Sequence, residues 1–373
     1  MGTAATWQLA SAGARVLCLD RFAPPHALGS SHGATRIIRE AYFEHPLYVP
    51  LVRRSYTLWD DLASSATIPP LYALTGGAYI GPERSTLIRG VLASVSAHNI
   101  AHEVLDPGPL GERYPALRAA PGMIAVVEPR AGFLHVDAAI CAMRRMALAA
   151  GAVFADASPI ESFAVTADGV TARTARASYV AGRLVIAVGA WVRELVPQLA
   201  GIFTVQRQVT TWCAALGAGV APNEAPITIW ELPSGQTFYT IPDEGDGFKI
   251  GVHYGGELTT IAHVDRRVSP RETKIGRDLL ATYIPPAAGP VRTASVCLYT
   301  NTPDLHFVID WLPGTHERVL LLSPCSGHGF KFAPAIGEIA AQLIHRGTCD
   351  FDVTPFALAR LGVRQRHRQG RGL

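Results

Sequence analysis

Cys297-Leu-Tyr-Thr-Asn-Thr-Pro-Asp-Leu-His306 and Cys325-Ser-Gly-His-Gly-Phe-Lys-Phe332 are the stretches from which the rest of the chain is read. The first reads as a thiol in a polar loop leading into an apolar strand, Phe307–Asp310. A second apolar strand, Arg318–Ser323, runs into the Gly/His/Lys loop, and the helix Ala335–His345 follows, closed by Gly347. Lys331 comes after Gly327 and Gly329 and stands just ahead of that helix. Free N–H groups at a helix start, beside a lysine, suit an anion. The two loops together read as one wall of a ligand site. Cys325 is a competing thiol there, and its plain reading is a small packed residue.

The beginning of the chain carries the matching signal. Thr3–Ala12 has helical spacing and an alanine-rich composition, with Gly13 as C-cap. Arg15-Val-Leu-Cys-Leu-Asp20 reads as a short buried strand ending in an acid. Helix, turn, strand, acid is the second half of a dinucleotide-binding βαβ unit, whose acid holds the ribose hydroxyls. In the full motif a strand and GxGxxG come first, and Gly2 alone corresponds to the last glycine. The expectation is that Met1 is an internal methionine and that about a dozen residues precede it. The competing readings are a shortened chain and a helix unrelated to dinucleotides.

Between these ends the chain alternates short strands and helices. Phe22–Gly33 is a loop rich in turn formers and contains His32. Thr35-Arg-Ile-Ile-Arg39 follows. In a helical turn Arg36 and Arg39 would share one face, either as surface arginines or as a cationic cluster for a carboxylate or another anionic group. Tyr48–Ala63 and Ser85–His98 read as helices, Leu71–Ile80 and Gly122–Val127 as strands, and Val136–Ala150 as a long helix. Gly169–Tyr179 suggests a hairpin. Arg183–Trp191 is an apolar strand ending in Gly189-Ala-Trp191, a suitable crevice at the end of a parallel strand. Val205–Ala214, Ile227–Glu231, Gln236–Ile241 and Phe248–His253 alternate and are turn-bounded, as in an antiparallel sheet. Tyr239 lies among them. Lys249 and His253, four apart on one strand, face the same side. Lys249 either points to solvent or faces the core, where it would need a partner or a function. Ser269, Pro270 and Glu272 open a helix to Ile284 with a capping box.

The chain has 373 residues, 49% hydrophobic and 17% charged, and its formal net charge is +3. That length suggests about two domains with ample core. Arg364, Arg366, Arg368 and Arg371 form a basic tail, read as a frayed end. The remainder is close to neutral, so no nucleic-acid partner is implied. Six cysteines are scattered without metal spacing; most read as buried small hydrophobes in a reducing compartment, and no metal site is expected. No apolar run reaches the ~18 residues of a membrane span, and no signal peptide is legible. The expected location is the cytoplasm.

Taken together, Asp20, Pro24–Tyr42 (PPHALGSSHGATRIIREAY), AVGAW (Ala187–Trp191), FKIGVH (Phe248–His253), Cys297–Asp310 and SGHGFKF (Ser326–Phe332) resemble the monomeric sarcosine oxidase and N-methyltryptophan oxidase family of flavin amine oxidases. The resemblance runs from Gly2 to about Phe356. It implies an α/β fold: a Rossmann-like FAD-binding domain, with its first strand apparently missing, and a substrate domain with a mixed or antiparallel β-sheet. The expected division is 1–72, 135–201 and 304–360 for FAD, 73–134 and 202–303 for substrate, and 361–373 as the tail.

The resemblance also implies roles. Cys297 looks like the thiol joined to the flavin, and Arg39 and Lys331 like the cations on the substrate carboxylate. Lys249, with Arg36 close by, looks like the cation that promotes reaction with O2. His253 and Tyr239 look like substrate-pocket residues and His32 like a flavin-side one. Asp20, Gly2, Gly189, Trp191, Gly327 and Gly329 match cofactor-contacting positions. Trp230 and Ser234–Thr237 lie where pocket size would be set. The implied reaction is oxidation of the C–N bond of an N-alkyl amino acid by O2, in a monomer. The alternatives are a dehydrogenase of the same fold and a non-catalytic remnant that binds without FAD.

Overall fold

The computed structural model describes residues 1–64 and 70–363. The four arginines of the basic tail lie outside the described residues. The chain forms two compact units: Met1–His26 with Ile140–Val205 and Tyr299–Leu373, and Ala27–Ala139 with Gln206–Leu298.

In the first unit a helix, Gly2–Ser11, buries Ala4, Ala5, Leu9 and Ala10. It packs on the helix Ala333–Arg346, whose face is equally small: Ala333, Ala335, Gly337, Ala340 and Ala341 are buried. Small residues let the two backbones approach closely. A Cβ at Gly337 would sit 2.5 Å from the Ala4 carbonyl oxygen, so only glycine fits. Next comes a strand, Leu17–Leu19, parallel to Val153–Ala155. A separate sheet joins Leu184–Ile186 in parallel to Val319–Ser323, which pairs antiparallel with Val308–Trp311. Both parallel pairs agree with the expected α/β architecture. The apolar strand read as Arg183–Trp191 is shorter than expected, because Gly189 turns it into a 3-10 turn, Gly189–Trp191. Val170, Ile186, Val192, Phe203, Val319 and Leu358 belong to this unit's apolar core.

The second unit is built on a nine-stranded sheet. Its main order is Leu258–Thr259, Thr204–Cys213, Phe248–His253, Thr237–Ile241, Ile227–Glu231, Gly77–Pro82, Met123–Glu128 and Glu103–Leu105, with Val291–Asn301 also paired to Thr204–Cys213. Ile227–Glu231 runs parallel to Gly77–Pro82, and the pairs on either side are antiparallel, so the sheet is mixed. Trp230 and Phe238 stack at 5.6 Å in its core, with Tyr283 tilted against both. Trp230 is therefore core, with its Nε1 donating to Thr228 Oγ1. The helix Pro270–Tyr283 begins with the expected capping box.

Several expectations need correction. Leu71–Ile80 is two strands, Tyr72–Leu74 and Gly77–Pro82, split at Thr75-Gly76. Residues 27–72 and 135–139, expected with 1–26 in one domain, group with the second compact unit. The strand Thr35–Ile38 pairs there with Gly132–His135. The helix Tyr48–Ala63 is tied there as well, Tyr56 Oη donating to Arg130 O at 2.7 Å and Arg53 Nη2 to His98 O at 2.9 Å. Thr35–Ile38 is extended, so Arg36 and Arg39 do not share a helical face; β-branched Thr, Ile and Ile favour the strand. Cys297 lies inside the eleven-residue strand Val291–Asn301, not in a loop. Of the cysteines only Cys213 and Cys297 are buried, and Cys141 is exposed.

Candidate active site

The second unit holds two buried basic clusters. The first surrounds Cys297, which is 6% exposed. Arg36, on the strand Thr35–Ile38, sends Nη2 to Cys297 Sγ at 3.1 Å and to Ser30 O at 2.9 Å, and Nη1 to its neighbour Thr35 O at 2.9 Å. Lys249, on the strand Phe248–His253, is 1% exposed and donates from Nζ to Gly33 O and Thr35 O, both at 2.7 Å. The core-facing reading of Lys249 therefore holds. Its ammonium lies 5.0 Å from the centre of the Trp212 ring. Burial and then the Arg36 charge push Lys249 well below the usual lysine range. His32 is buried, and burial followed by the charges of Arg36, Lys249 and Arg266 lowers it to about 4, so its imidazole is neutral at pH 7. Arg266 donates to Leu28 O at 2.6 Å and steadies the loop that carries Ser30 and His32.

The second cluster surrounds Arg39, which is 2% exposed. Its Nη2 donates to both oxygens of Glu44, at 2.8 and 2.6 Å, and Nη1 to Ala41 O at 2.8 Å. The guanidinium carbon lies 4.0 Å from the Tyr42 ring centre and 4.8 Å from that of Phe43. Burial alone would lower Arg39. Glu44, by its charge and its hydrogen bond, together with Tyr42 and Tyr79 outweighs burial and holds the group above the usual arginine range. Glu128, fully buried, accepts from the N–H groups of Glu40 and Ala41 and from the Tyr79 hydroxyl.

Tyr239 and His253 lie on adjacent strands of the same sheet. Tyr239 pairs with Gly251, and His253 with Thr237. Both are half-buried. Burial raises the Tyr239 phenol, with the Arg36 charge opposing it. His253 packs against Tyr254 with ring centres 3.9 Å apart.

In the first unit Lys331 occupies the 3-10 turn Phe330–Phe332 and is 5% exposed. Its Nζ donates to His328 O at 2.8 Å. Gly327 has φ +81°, and a Cβ there would lie 2.5 Å from the Tyr299 ring. Tyr299 thus requires this glycine whatever else approaches it. Cys325 Sγ accepts from Thr300 N at 3.2 Å. Asp20 ends the strand Leu17–Leu19, and its Oδ1 accepts from Phe22 N at 2.8 Å. Trp191 meets the edge of Phe22 at 5.6 Å. Gly2 opens its helix with only Ala187 Cβ, at 3.9 Å, near its missing side chain.

Several groups fit a bound flavin. Around the thiol cluster, Ser30 Oγ, His32 Nε2 and Ser295 Oγ are buried without a hydrogen-bond partner, a costly state unless a ligand's polar edge meets them. Thr300 Oγ1 and Ser323 Oγ are in the same state in the first unit. The donor chemistry suits an electron-rich ring: two cations, Arg36 and Lys249, and the Cys297 thiol all meet the segment 30–35.

Sequence reasoning missed Glu44, Glu128, Trp212 and Arg266. Glu128 had a signal, an acid closing the apolar run Met-Ile-Ala-Val-Val-Glu. Glu44 and Arg266 had none, because their partners are set by the path of loops.

Among the described residues no helix is long and apolar enough to cross a membrane, and no cluster of metal-ligating side chains occurs. A model of the DAO family, described as FAD dependent oxidoreductase, matches residues 1–343. The chain is 39% identical over 365 residues to N-methyl-L-tryptophan oxidase of Salmonella agona, covering 96% of each. It is 38% identical over 368 residues to monomeric sarcosine oxidase of Streptomyces avermitilis, covering 97% of this chain and 96% of that one. Among solved structures it superposes on NikD, titled an unusual amino acid oxidase, with TM-score 0.83, 22% identity and coverage of 95% and 94%. Glycine oxidase of Geobacillus kaustophilus gives TM-score 0.80 at 19% identity, covering 96% and 95%. L-proline dehydrogenase of P. horikoshii gives 0.81 at 19%, covering 96% and 94%. These structures share the fold.

Proposed function

The chain belongs to the FAD dependent oxidoreductase family, and within it we propose that it oxidises the C–N bond of an N-methyl amino acid, with O2 as electron acceptor. The observation that carries this reading is Arg39, a buried cation already shaped around a carboxylate, that of Glu44. An amino-acid carboxylate is the natural ligand for the same N–H groups once Glu44 yields them.

FAD would supply the redox chemistry: a two-electron acceptor for the hydride equivalent of the amine carbon, reoxidised by O2 with release of H2O2. The imine left behind takes up water and splits into an amine and an aldehyde or oxo acid. The protein's part is to bind and orient. Arg39 fixes the carboxylate, which fixes the C–H. Tyr239 and His253 would line the substrate pocket. A substrate bound as the neutral amine needs no general base. Lys249 supplies positive charge where O2 becomes negative, an electrostatic contribution. Cys297 would carry the thioether to the flavin, a reading supported by the Arg36 guanidinium at its sulfur. Asp20, just after its strand, would hold ribose hydroxyls, and Lys331 is a second candidate for anion binding.

The test is a peroxide assay over sarcosine, N-methyl-L-tryptophan and other N-methyl amino acids with the purified, yellow protein. Peroxide formed with at least one of them is the expected result. A yellow protein that reduces an artificial acceptor with these amines but not O2 is instead a dehydrogenase. A colourless protein that stays so after FAD is added sinks the enzyme reading.

A further inference from the structure

We propose that Glu128 is a positioning residue for Arg39: its buried carboxylate fixes the main chain that aims the guanidinium. The proposal rests on the reading of Arg39 as the substrate-carboxylate cation. Glu128 ends the strand Met123–Glu128 and is 0% exposed. Oε1 accepts from Glu40 N at 3.2 Å and Oε2 from Ala41 N at 2.8 Å, the two peptide groups after Arg39. Arg39 Nη1 donates to the carbonyl of that same Ala41 at 2.8 Å. Ala41 is therefore clasped at its N–H by Glu128 and at its C=O by Arg39. Tyr79 joins the two, its hydroxyl on Glu128 and its ring centre 6.0 Å from the Arg39 guanidinium carbon.

A buried carboxylate is a costly way to hold two N–H groups when a serine or a backbone carbonyl could serve. What it adds is charge beside Arg39. The groups facing it are Arg39 and the Glu40 peptide from one segment, Tyr79 from the strand Gly77–Pro82, and Tyr56 from the helix Tyr48–Ala63. Glu40 itself is paired with Arg53. Burial pushes the Glu128 carboxyl up to about 7, against the pull of Tyr79, the Ala41 N–H and Arg39. Its charge therefore changes near neutrality, and a neutral Glu128 leaves more of the Arg39 charge for a substrate carboxylate.

The test compares N-methyl-L-tryptophan with N-methyltryptamine, which lacks only the carboxylate; sarcosine and dimethylamine are the matching pair for a small pocket. Glu128→Ala is expected to raise KM for the carboxylate substrate about tenfold with kcat little changed, and to leave the KM of the amine alone. Glu128→Gln, whose single carbonyl oxygen can still accept from Ala41 N while its NH2 cannot accept from Glu40 N, is expected to recover part of that loss. It also abolishes the rise in KM of the carboxylate substrate relative to the amine as pH passes about 7. Independently of turnover, hydrogen exchange at the Glu40 and Ala41 amides is expected to quicken about tenfold or more in Glu128→Ala. Unchanged exchange there, a KM effect equal for both substrates, or a pH step that survives in Glu128→Gln overturns the proposal. If Arg39→Lys fails to separate the two substrates, the reading of Arg39 falls, and the proposal with it. If Arg39→Lys separates them and neither Glu128 variant does, only the proposal falls. Should Glu128→Ala not fold, the pH profile of Glu128→Gln decides.

Discussion

Lys249 and Arg39 are both buried cations of the same unit, and they are held in opposite ways. Arg39 has a carboxylate on its guanidinium, and its charge is secured. Lys249 is held by two carbonyl oxygens and shares its surroundings with Arg36, so its charge is opposed. A buried charge without an opposite charge is expensive. The comparison separates a cation with an anion already in place from one without. Under the proposed function, that is the difference between binding a carboxylate and assisting the reduction of O2.

The largest effect concerns the Cys297 thiol, which lies beside the Arg36 guanidinium. Cys297→Ser should abolish covalent attachment: flavin colour stays with acid-precipitated wild-type protein and leaves with the supernatant in the variant. Colour retained in the variant pellet would move the tether elsewhere. Next, Lys249→Met should slow reoxidation of the reduced enzyme by O2 by about 10²–10³-fold, as for other electrostatic groups, with little change in anaerobic reduction by substrate. Stopped-flow measurement of the two half-reactions checks it, and equal slowing of both would erase the contrast with Arg39. Glu44→Gln should weaken the competitor on Arg39. KM for the carboxylate substrate is expected to fall several-fold, while stability falls by about 1–3 kcal/mol because a buried arginine loses its ionised partner. Urea denaturation and steady-state kinetics read the two sides, and an increased KM would show that Glu44 orients Arg39 rather than competing for it.

The smallest effect is on the pH dependence of stability. Glu128 has its folded pKa raised from 4.5 to about 7. Its contribution is fully present below pH 4.5 and is lost as pH rises through 7. Wild-type protein should therefore lose stability relative to Glu128→Gln across that interval, as melting temperatures at pH 4.5 to 8 would show. Lys249, lowered, has the opposite slope: the folded state gains stability as pH rises toward 10.5. Parallel melting curves for Lys249→Met and wild type over that range would contradict its burial as a strained cation.

Local chemistry was legible in the chain itself. The capping box at Ser269 and Glu272 and the αL glycine after Arg346 depend on neighbours in sequence and form as read. The helix–strand–acid run to Asp20 also forms, but its strand is only Leu17–Leu19 and is not the buried one expected, for Leu17 is exposed and its two neighbours half-buried. Period-2 alternation placed Lys249 and His253 on one strand. It did not say which face was inside, because alternation fixes relative and not absolute orientation. The extended form of Thr35–Ile38 was decided by pairing with Gly132–His135, far along the chain, and so was the grouping of 27–72 with the second unit.

The sequence by itself determined the residue types that matter: a thiol, three buried cations and a histidine at positions whose local setting was readable. Only the tertiary structure decided what each of them faces. Arg36 meets Cys297 across 261 positions of chain, and Lys249 meets Thr35 across 214. Glu128 reaches the Ala41 amide from 87 residues away. Such contacts follow from strand order and loop path, set by burial of the whole sheet, and no window of sequence contains them.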